Sequence, residues 1–90
     1  MHPQRNSDVR TTLLPDGCVV LFSTKTDWAQ ILNPTGALVW EFCDGEHSVD
    51  EIASEVSSLL GQPSGEKILP DVEALVKELS EGGLLLNRMD

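Results

Sequence analysis

The side chains most capable of chemistry in this 90-residue chain are two histidines and two cysteines, and their spacing forms no reactive set. Nucleophilic catalysis needs a nucleophile beside a base, and acid–base catalysis needs groups with matched pKa values in a shielded cleft. His2 lies near the N-terminus and His47 lies in a predicted turn. Cys43 and His47 are four residues apart, but two candidate ligands do not make a zinc site. We therefore expect no enzyme, no metal site and no cofactor.

The acidic residues are numerous but scattered. The chain carries 15 Asp and Glu against six Lys and Arg, a formal net charge of −9. The imbalance lies in residues 36–90, because the first 35 residues are neutral in sum. Acidic side chains spread over helix surfaces are typical of a solvated face. The same charge repels phosphate backbones and favours cationic or neutral partners, so we expect no nucleic-acid partner.

The composition favours one small domain. The apolar share of 40% is enough for one modest core. Cys18 and Cys43 have apolar neighbours and are predicted to be buried free thiols. No apolar run approaches the ~20 residues that a membrane helix needs, and the N-terminus lacks the apolar core of a secretion signal. We expect a cytoplasmic protein without a membrane partner, with a flexible tail at 1–8 and a domain at 9–90.

Three β-rich runs precede any helical pattern. They cover residues 9–14, 18–22 and 28–32. The turn between the first two contains Pro, Asp and Gly at 15–17, each of which favours a tight reversal of the chain. Because the connecting segments are short, the pattern predicts a three-stranded antiparallel meander.

Two helix starts follow the third strand. Asn33 before Pro34 fits an N-cap followed by the first helical position, and this helix should run to about Cys43, with Gly45 as its stop. Residues 48–51, Ser-Val-Asp-Glu, match a capping box that opens a second helix reaching about residue 60. The apolar stripe of this second helix ends in two leucines, which we expect to be buried.

The third helix is predicted over about 66–81. Pro70 is tolerated only in a first turn, so the helix should start near Leu69. Glycines at 82 and 83 end it, and 84–86 form a short closing strand or an apolar tail. Strands followed by helices indicate an α+β class, here a winged helix-turn-helix-like domain with an N-terminal three-stranded antiparallel sheet followed by three helices.

The residues leave several binding functions open. DNA binding is disfavoured because the second helix has no basic residue and the third has more acids than bases. An acyl carrier needs a serine in an Asp-Ser-Leu context, whereas Ser48 lies in His-Ser-Val and serves as a cap. Peptide binding fits the sheet, since an outer strand exposes backbone groups that a guest strand can pair with. A winged-helix protein–protein adaptor is the alternative, and an edge that pairs with a second copy would give a homodimer.

The motif around the first two helix starts resembles the PqqD-like family, whose namesake is an accessory protein of pyrroloquinoline quinone biosynthesis. The resemblance extends over roughly residues 13–86. The residues that carry it are 32–37, 39–41, 44–45 and 48–52, and then 71–72, 75, 78–79 and 82–85. Similar domains act as recognition elements for ribosomally synthesised and post-translationally modified peptides. The resemblance therefore implies binding of a precursor peptide for a separate modifying enzyme, such as a radical S-adenosylmethionine enzyme, a leader peptidase or a cyclase.

In this family the leader of the precursor peptide lies between the third strand and the third helix and pairs with the strand. Transferred to this sequence, the resemblance implies a peptide-binding groove with residues from both elements. Its predicted residues are Trp28, Ala29, Gln30, Ile31 and Leu32 on the strand, and Lys67, Asp71, Ala74, Leu75 and Glu78 on the helix.

Overall fold

The computed structural model describes residues 2–62 and 65–88. The elements in chain order are β1 His2–Arg5, β2 Val9–Leu13, β3 Val19–Ser23, β4 Ala29–Leu32, α1 Pro34–Glu41, α2 Val49–Leu59, α3 Leu69–Glu81 and β5 Leu85–Arg88. Strands β2, β3 and β4 form one antiparallel sheet in that order, and β1 pairs with β5 in a second one. The α+β class, with a three-stranded sheet followed by three helices, is confirmed.

The first residues form a strand where the sequence predicted a flexible tail. The N–H of Arg5 donates to the carbonyl of Cys43 at 2.8 Å, and Pro3 is fully buried. The Arg5 guanidinium donates to the carbonyls of Trp40 at 2.9 Å and Glu41 at 2.6 Å. These carbonyls end α1, where a helix has unpaired acceptors and the negative end of its dipole. These contacts join the segment to the end of a helix that is distant in sequence.

Gly45 does not end α1 as the sequence predicted. The helix ends at Glu41 with Phe42 as its C-cap, while Gly45 lies in the following bend at φ +82°. Its N–H donates to the carbonyl of Pro3 at 2.9 Å, and a Cβ there would lie 3.1 Å from Gln4 Oε1. The glycine is therefore needed for the close approach of β1, because a side chain would strain this backbone and crowd Gln4.

The predicted helix starts are confirmed in atomic detail. Asn33 Oδ1 accepts from the N–H of Gly36 at 2.7 Å. Ser48 Oγ accepts from the N–H of Glu51 at 3.2 Å, and Glu51 Oε1 accepts from the N–H of Ser48 at 2.9 Å. All three hydrogen bonds occupy backbone donors that have no partner inside the helix. These local signals could be recognised because they involve residues only three positions apart.

Replacing Ser48 with alanine is expected to lower the free energy of unfolding by about 1 kcal/mol, because the box loses the acceptor for the N–H of Glu51. Urea denaturation measures the loss. Ser58→Ala in the same helix is the matched control, since Ser58 is exposed and lies far from the cap. Equal effects of the two substitutions would show that the capping box contributes nothing beyond helix propensity.

The core lies between the inner face of the sheet and the helices. Leu21, Ile52 and Leu79 are fully buried, and Trp40 belongs to the same core, with 2% of its surface exposed. The prediction of two buried leucines at the end of α2 is wrong, because Leu59 and Leu60 are exposed. Helical spacing identifies a face but does not show where the neighbouring element ends. Within the described residues, no helix is long and apolar enough to span a membrane.

The predicted free thiols differ in environment. Cys43 is fully buried and Cys18 is half-buried, and both are free. Burial raises the pKa of the Cys43 thiol to about 12. Its Sγ donates to the carbonyl of Val39 at 3.2 Å. A thiol of this kind is a core side chain and a poor nucleophile.

A partly exposed ion pair stabilises the bend before α2. His47 Nδ1 lies 3.0 Å from both carboxylate oxygens of Asp44, and this contact raises the pKa of His47. The stabilisation is fully present below the ordinary histidine pKa of about 6.5 and is lost as pH rises through the higher folded value. For a pair this exposed, the contribution should stay below about 1 kcal/mol.

We expect Asp44→Asn to return the pKa of His47 towards its ordinary value and to remove this part of the pH dependence of unfolding. NMR titration of the His47 ring measures the first effect, and urea denaturation across the same pH range measures the second. An unchanged titration curve in the variant would show that another group raises the pKa.

Candidate functional site

One side of β4 is an open edge, because β4 is the outer strand of its sheet within the described part of the chain. The N–H of Ser23, the last residue of β3, donates to the carbonyl of Trp28, directly before β4, at 2.8 Å. Ser23 and Trp28 are therefore a hydrogen-bonded pair of the ladder. Opposed residues in an antiparallel pair alternate between bonded and non-bonded. The backbone N–H and C=O groups of Ala29 and Ile31 therefore point away from β3, towards the open edge.

Strand β4 runs antiparallel to α3, and the two elements approach each other at both ends of the strand. At one end the Trp28 indole covers Gly82, where an added Cβ would lie 2.9 Å from Cε2 of the indole. At the other end a Cβ on Gly36 would lie 3.3 Å from Leu32 Cβ and 3.5 Å from Leu75 Cδ2. The start of β4 thus lies beside the end of α3, and the end of β4 lies near the middle of the helix.

Between these contacts lies an open groove of about 630 Å³. It is lined by both elements that the resemblance had implied. The predicted residues that line it are Gln30, Ile31, Leu32, Asp71, Leu75 and Glu78. On α3, the last three follow the spacing i, i+4 and i+7, which places them on one face of a helix. The structure thus brings six of the ten predicted residues into one concave surface.

The other four predicted residues lie around or away from the groove. Trp28 lies at its end, where the indole Nε1 donates to Gln30 Oε1 at 3.3 Å. Ala29 is exposed on the open edge of β4. Lys67 is exposed in the turn before α3, outside the residues that line the groove. Ala74 lies on the other flank of α3 and lines a different concavity.

The groove also contains residues that the sequence analysis did not assign to a site. Leu60 and Ile68 extend its apolar surface, and Asn33 and Thr35 lie at the start of α1. Leu60 was expected in the core, yet it is the C-cap of α2 and remains 43% exposed. The sequence contained one signal that Leu60 lies at the end of the helix and not in the core: it directly precedes Gly61, the glycine that ends α2. Asn33 carried no such signal, because its role as the N-cap of α1 already explained it. Thr35 carried none either.

The groove is acidic at two points and apolar between them. Asp71 and Glu78 are exposed, whereas Leu75 between them is half-buried. The described ion pairs are Lys25 with Asp8 and His47 with Asp44, so no described cation lies within 4.0 Å of the Asp71 or Glu78 carboxylate. Among the described side chains, no Lys, Arg or His lines the groove. Such a surface suits an extended chain that carries apolar and basic side chains.

A second concavity of about 920 Å³ lies on the opposite flank of α3, against the start of α2. Its lining from α3 includes Glu73, Lys77 and Glu81, and its lining from α2 includes Asp50. Among the described residues, its lining comes from helices α2 and α3 and the cap of α2, so it offers no strand edge for a guest strand to pair with. Over residues 2–62 and 65–88, no group of three or more His, Cys, Asp or Glu side chains could hold a metal ion.

Comparison with known proteins identifies a family and two solved structures with the same fold. Residues 18–85 match the family model described as coenzyme PQQ synthesis protein D (PqqD). This segment includes the whole of β4, its approach to α3, and α3 itself. Among curated proteins, no sequence matches at a significant level.

Two solved structures share the fold over nearly the whole chain. TbiB1 in complex with the TbiA(beta) leader peptide has a TM-score of 0.77 and 18% identity, and the match covers 97% of this chain and 99% of that one. Lasso peptide synthetase B1 complexed with the leader peptide has a TM-score of 0.75 and 22% identity, covering 96% and 99%. At these identities the likeness shows the fold.

Proposed function

Since the chain belongs to the PqqD family, the family of coenzyme PQQ synthesis protein D, we propose that it binds the leader region of a ribosomally made precursor peptide. The leader adds to β4 as a further antiparallel strand and lies in the groove beside α3. Main-chain hydrogen bonds to Ala29 and Ile31 supply affinity, and side chains in the groove supply specificity.

The observation that carries this proposal is the open edge of β4 beside the groove. Two residues with outward-facing backbone groups offer two donors and two acceptors to an incoming strand. Trp28 against Gly82 and Leu32 near Leu75 hold the edge at a fixed place relative to α3. A guest would therefore meet a preformed site, which limits the loss of conformational entropy on binding.

The protein itself does no chemistry in this proposal. It holds the leader while a separate enzyme modifies the rest of the precursor, and it works in the cytoplasm, where such peptides are made. A radical S-adenosylmethionine enzyme, a leader peptidase and a cyclase are the candidate partners. The two solved structures with the same fold, each in complex with a leader peptide, support a leader peptide as the bound partner.

The direct test is titration of the protein into a fluorescein-labelled leader from the precursor gene that neighbours its own, followed by anisotropy. We expect saturable binding with one leader per protein. No binding up to about 100 μM, a free energy weaker than about −5.5 kcal/mol, would contradict the proposal.

A further inference from the structure

We infer that the groove selects a leader segment in which a cationic residue, an apolar residue and a second cationic residue occupy alternate positions. The inference rests on the proposed function, because it concerns the side chains of the strand that adds to β4. It names the chemical class of the guest: a basic–apolar–basic extended segment that fits between Asp71 and Glu78.

The spacing along α3 determines which guest positions are involved. Asp71 and Glu78 are seven residues apart, about 10 Å along the helix axis. Side chains on one face of a strand repeat about every 6.7 Å, so alternate positions cover about 13 Å over three side chains. The long stems of Lys and Arg can bridge the difference of about 3 Å. A guest running along β4 therefore places its outer two inward side chains near the two carboxylates.

The middle position faces the apolar part of the groove. Leu75 lies between the two carboxylates on the same face of α3, and it packs near Gly36 and Leu32. Leu60 and Ile68 border the same surface. A polar guest residue would lose hydration there without gaining a hydrogen bond, whereas an apolar one would cover exposed carbon.

The charges of the groove point to cations at the flanking positions. Neither the Asp71 nor the Glu78 carboxylate has a described ion-pair partner, and no basic side chain that the structure describes lines the groove. An acidic guest would bring like charges together, and a basic guest would pair with both carboxylates. The overall charge of −9 also attracts cations in general. If the groove itself selects a basic guest, Asp71 and Glu78 must therefore contribute more to the affinity than other acidic residues on the same helix.

The test uses three labelled synthetic peptides that differ at two positions only. Each has a central Leu flanked by Thr, and the next residue on either side is Lys in the first peptide, Gln in the second and Glu in the third. The protein is measured as wild type, as Asp71→Asn with Glu78→Gln, and as a matched control, Glu73→Gln with Glu81→Gln. The control removes the same charge from the other flank of α3.

We expect wild-type protein to bind the Lys peptide at least about tenfold more tightly than the Glu peptide, with the Gln peptide between them. This preference should disappear in the Asp71 and Glu78 variant and persist in the control. Equal affinity for the three peptides would overturn the inference and leave leader binding intact. Equal loss in both variants would overturn it as well, because net charge would then explain the preference.

Two further outcomes separate this inference from the proposed function. If the leader of the neighbouring precursor binds and none of the three peptides does, the basic–apolar–basic pattern is wrong and leader binding stands. If neither the leader nor any peptide binds, the proposed function itself fails and the pattern fails with it. Raising the salt concentration from 50 to 500 mM should reduce the difference in affinity between the Lys peptide and the Glu peptide, since salt screens partly exposed charge pairs.

Discussion

Replacing Ile31 with proline is expected to weaken leader binding at least about tenfold while the fold remains intact. The N–H of Ile31 points away from β3, so proline removes a donor from the open edge and none from the sheet. The lost hydrogen bond accounts for about 1 kcal/mol, and the bulk of the ring hinders the approach of the guest backbone. Anisotropy titration measures the affinity, and circular dichroism with urea denaturation checks the fold.

Thr11→Pro is the matched control for this experiment. Thr11 lies on β2, the other outer strand of the same sheet. The N–H of Leu14 donates to the carbonyl of Cys18, and alternation from this pair places the N–H of Thr11 on the outer side of β2. The two substitutions thus perturb equivalent edge positions. If both reduce affinity alike, or if Ile31→Pro leaves it unchanged in a folded protein, the leader does not pair with β4.

The second large effect is expected from Gly82→Val, which should reduce leader affinity about fivefold or more. The first carbon of the new side chain alone would lie 2.9 Å from the Trp28 indole, so the ring must move. Its movement would break the hydrogen bond to Gln30 and open the end of the groove. At φ −80° the backbone of Gly82 suits any residue, so the main effect should be on the indole rather than on the helix end.

A double-mutant cycle with Trp28→Ala tests whether the effect passes through the indole. If it does, the double variant should bind no more weakly than Trp28→Ala alone. The second tryptophan, Trp40, is buried in the core, so a Trp40→Phe background leaves Trp28 as the fluorescent reporter. A shifted Trp28 emission with wild-type affinity in Gly82→Val would show that the indole lies outside the binding site.

Local chemistry explains which parts of the fold could be predicted from sequence. The caps at Asn33 and Ser48 involve neighbours three residues apart, and their signals are complete within one short segment. Strand β1 could not be predicted in this way. Its contacts with the rest of the fold include those of Arg5 with carbonyls at the end of α1, 35 and 36 residues later. A polar N-terminal segment has the same local pattern whether or not such a partner exists.

The same reasoning explains the uneven prediction of the groove. The family resemblance indicated the strand and the helix, but not the rotation of the helix relative to the strand. That rotation follows from the buried face of α3, formed by Val72, Val76 and Leu79. With this face in the core, Asp71 and Glu78 line the groove beside β4, and Ala74 lies on the other flank. The contribution of Leu60 depends on where α2 ends in space, which periodicity alone does not reveal.

The most direct test of strand addition is amide hydrogen exchange of β4 with and without the leader. Free protein should exchange the N–H groups of Ala29 and Ile31 quickly, because they face solvent at the open edge. With the leader bound, both should slow at least about tenfold, whereas Thr11 on the opposite edge should not change. Unchanged exchange at Ala29 and Ile31 in a saturated complex would contradict the claim that the leader adds to β4. Protection confined to the concavity around Ala74 would instead place the binding site on the other flank of α3.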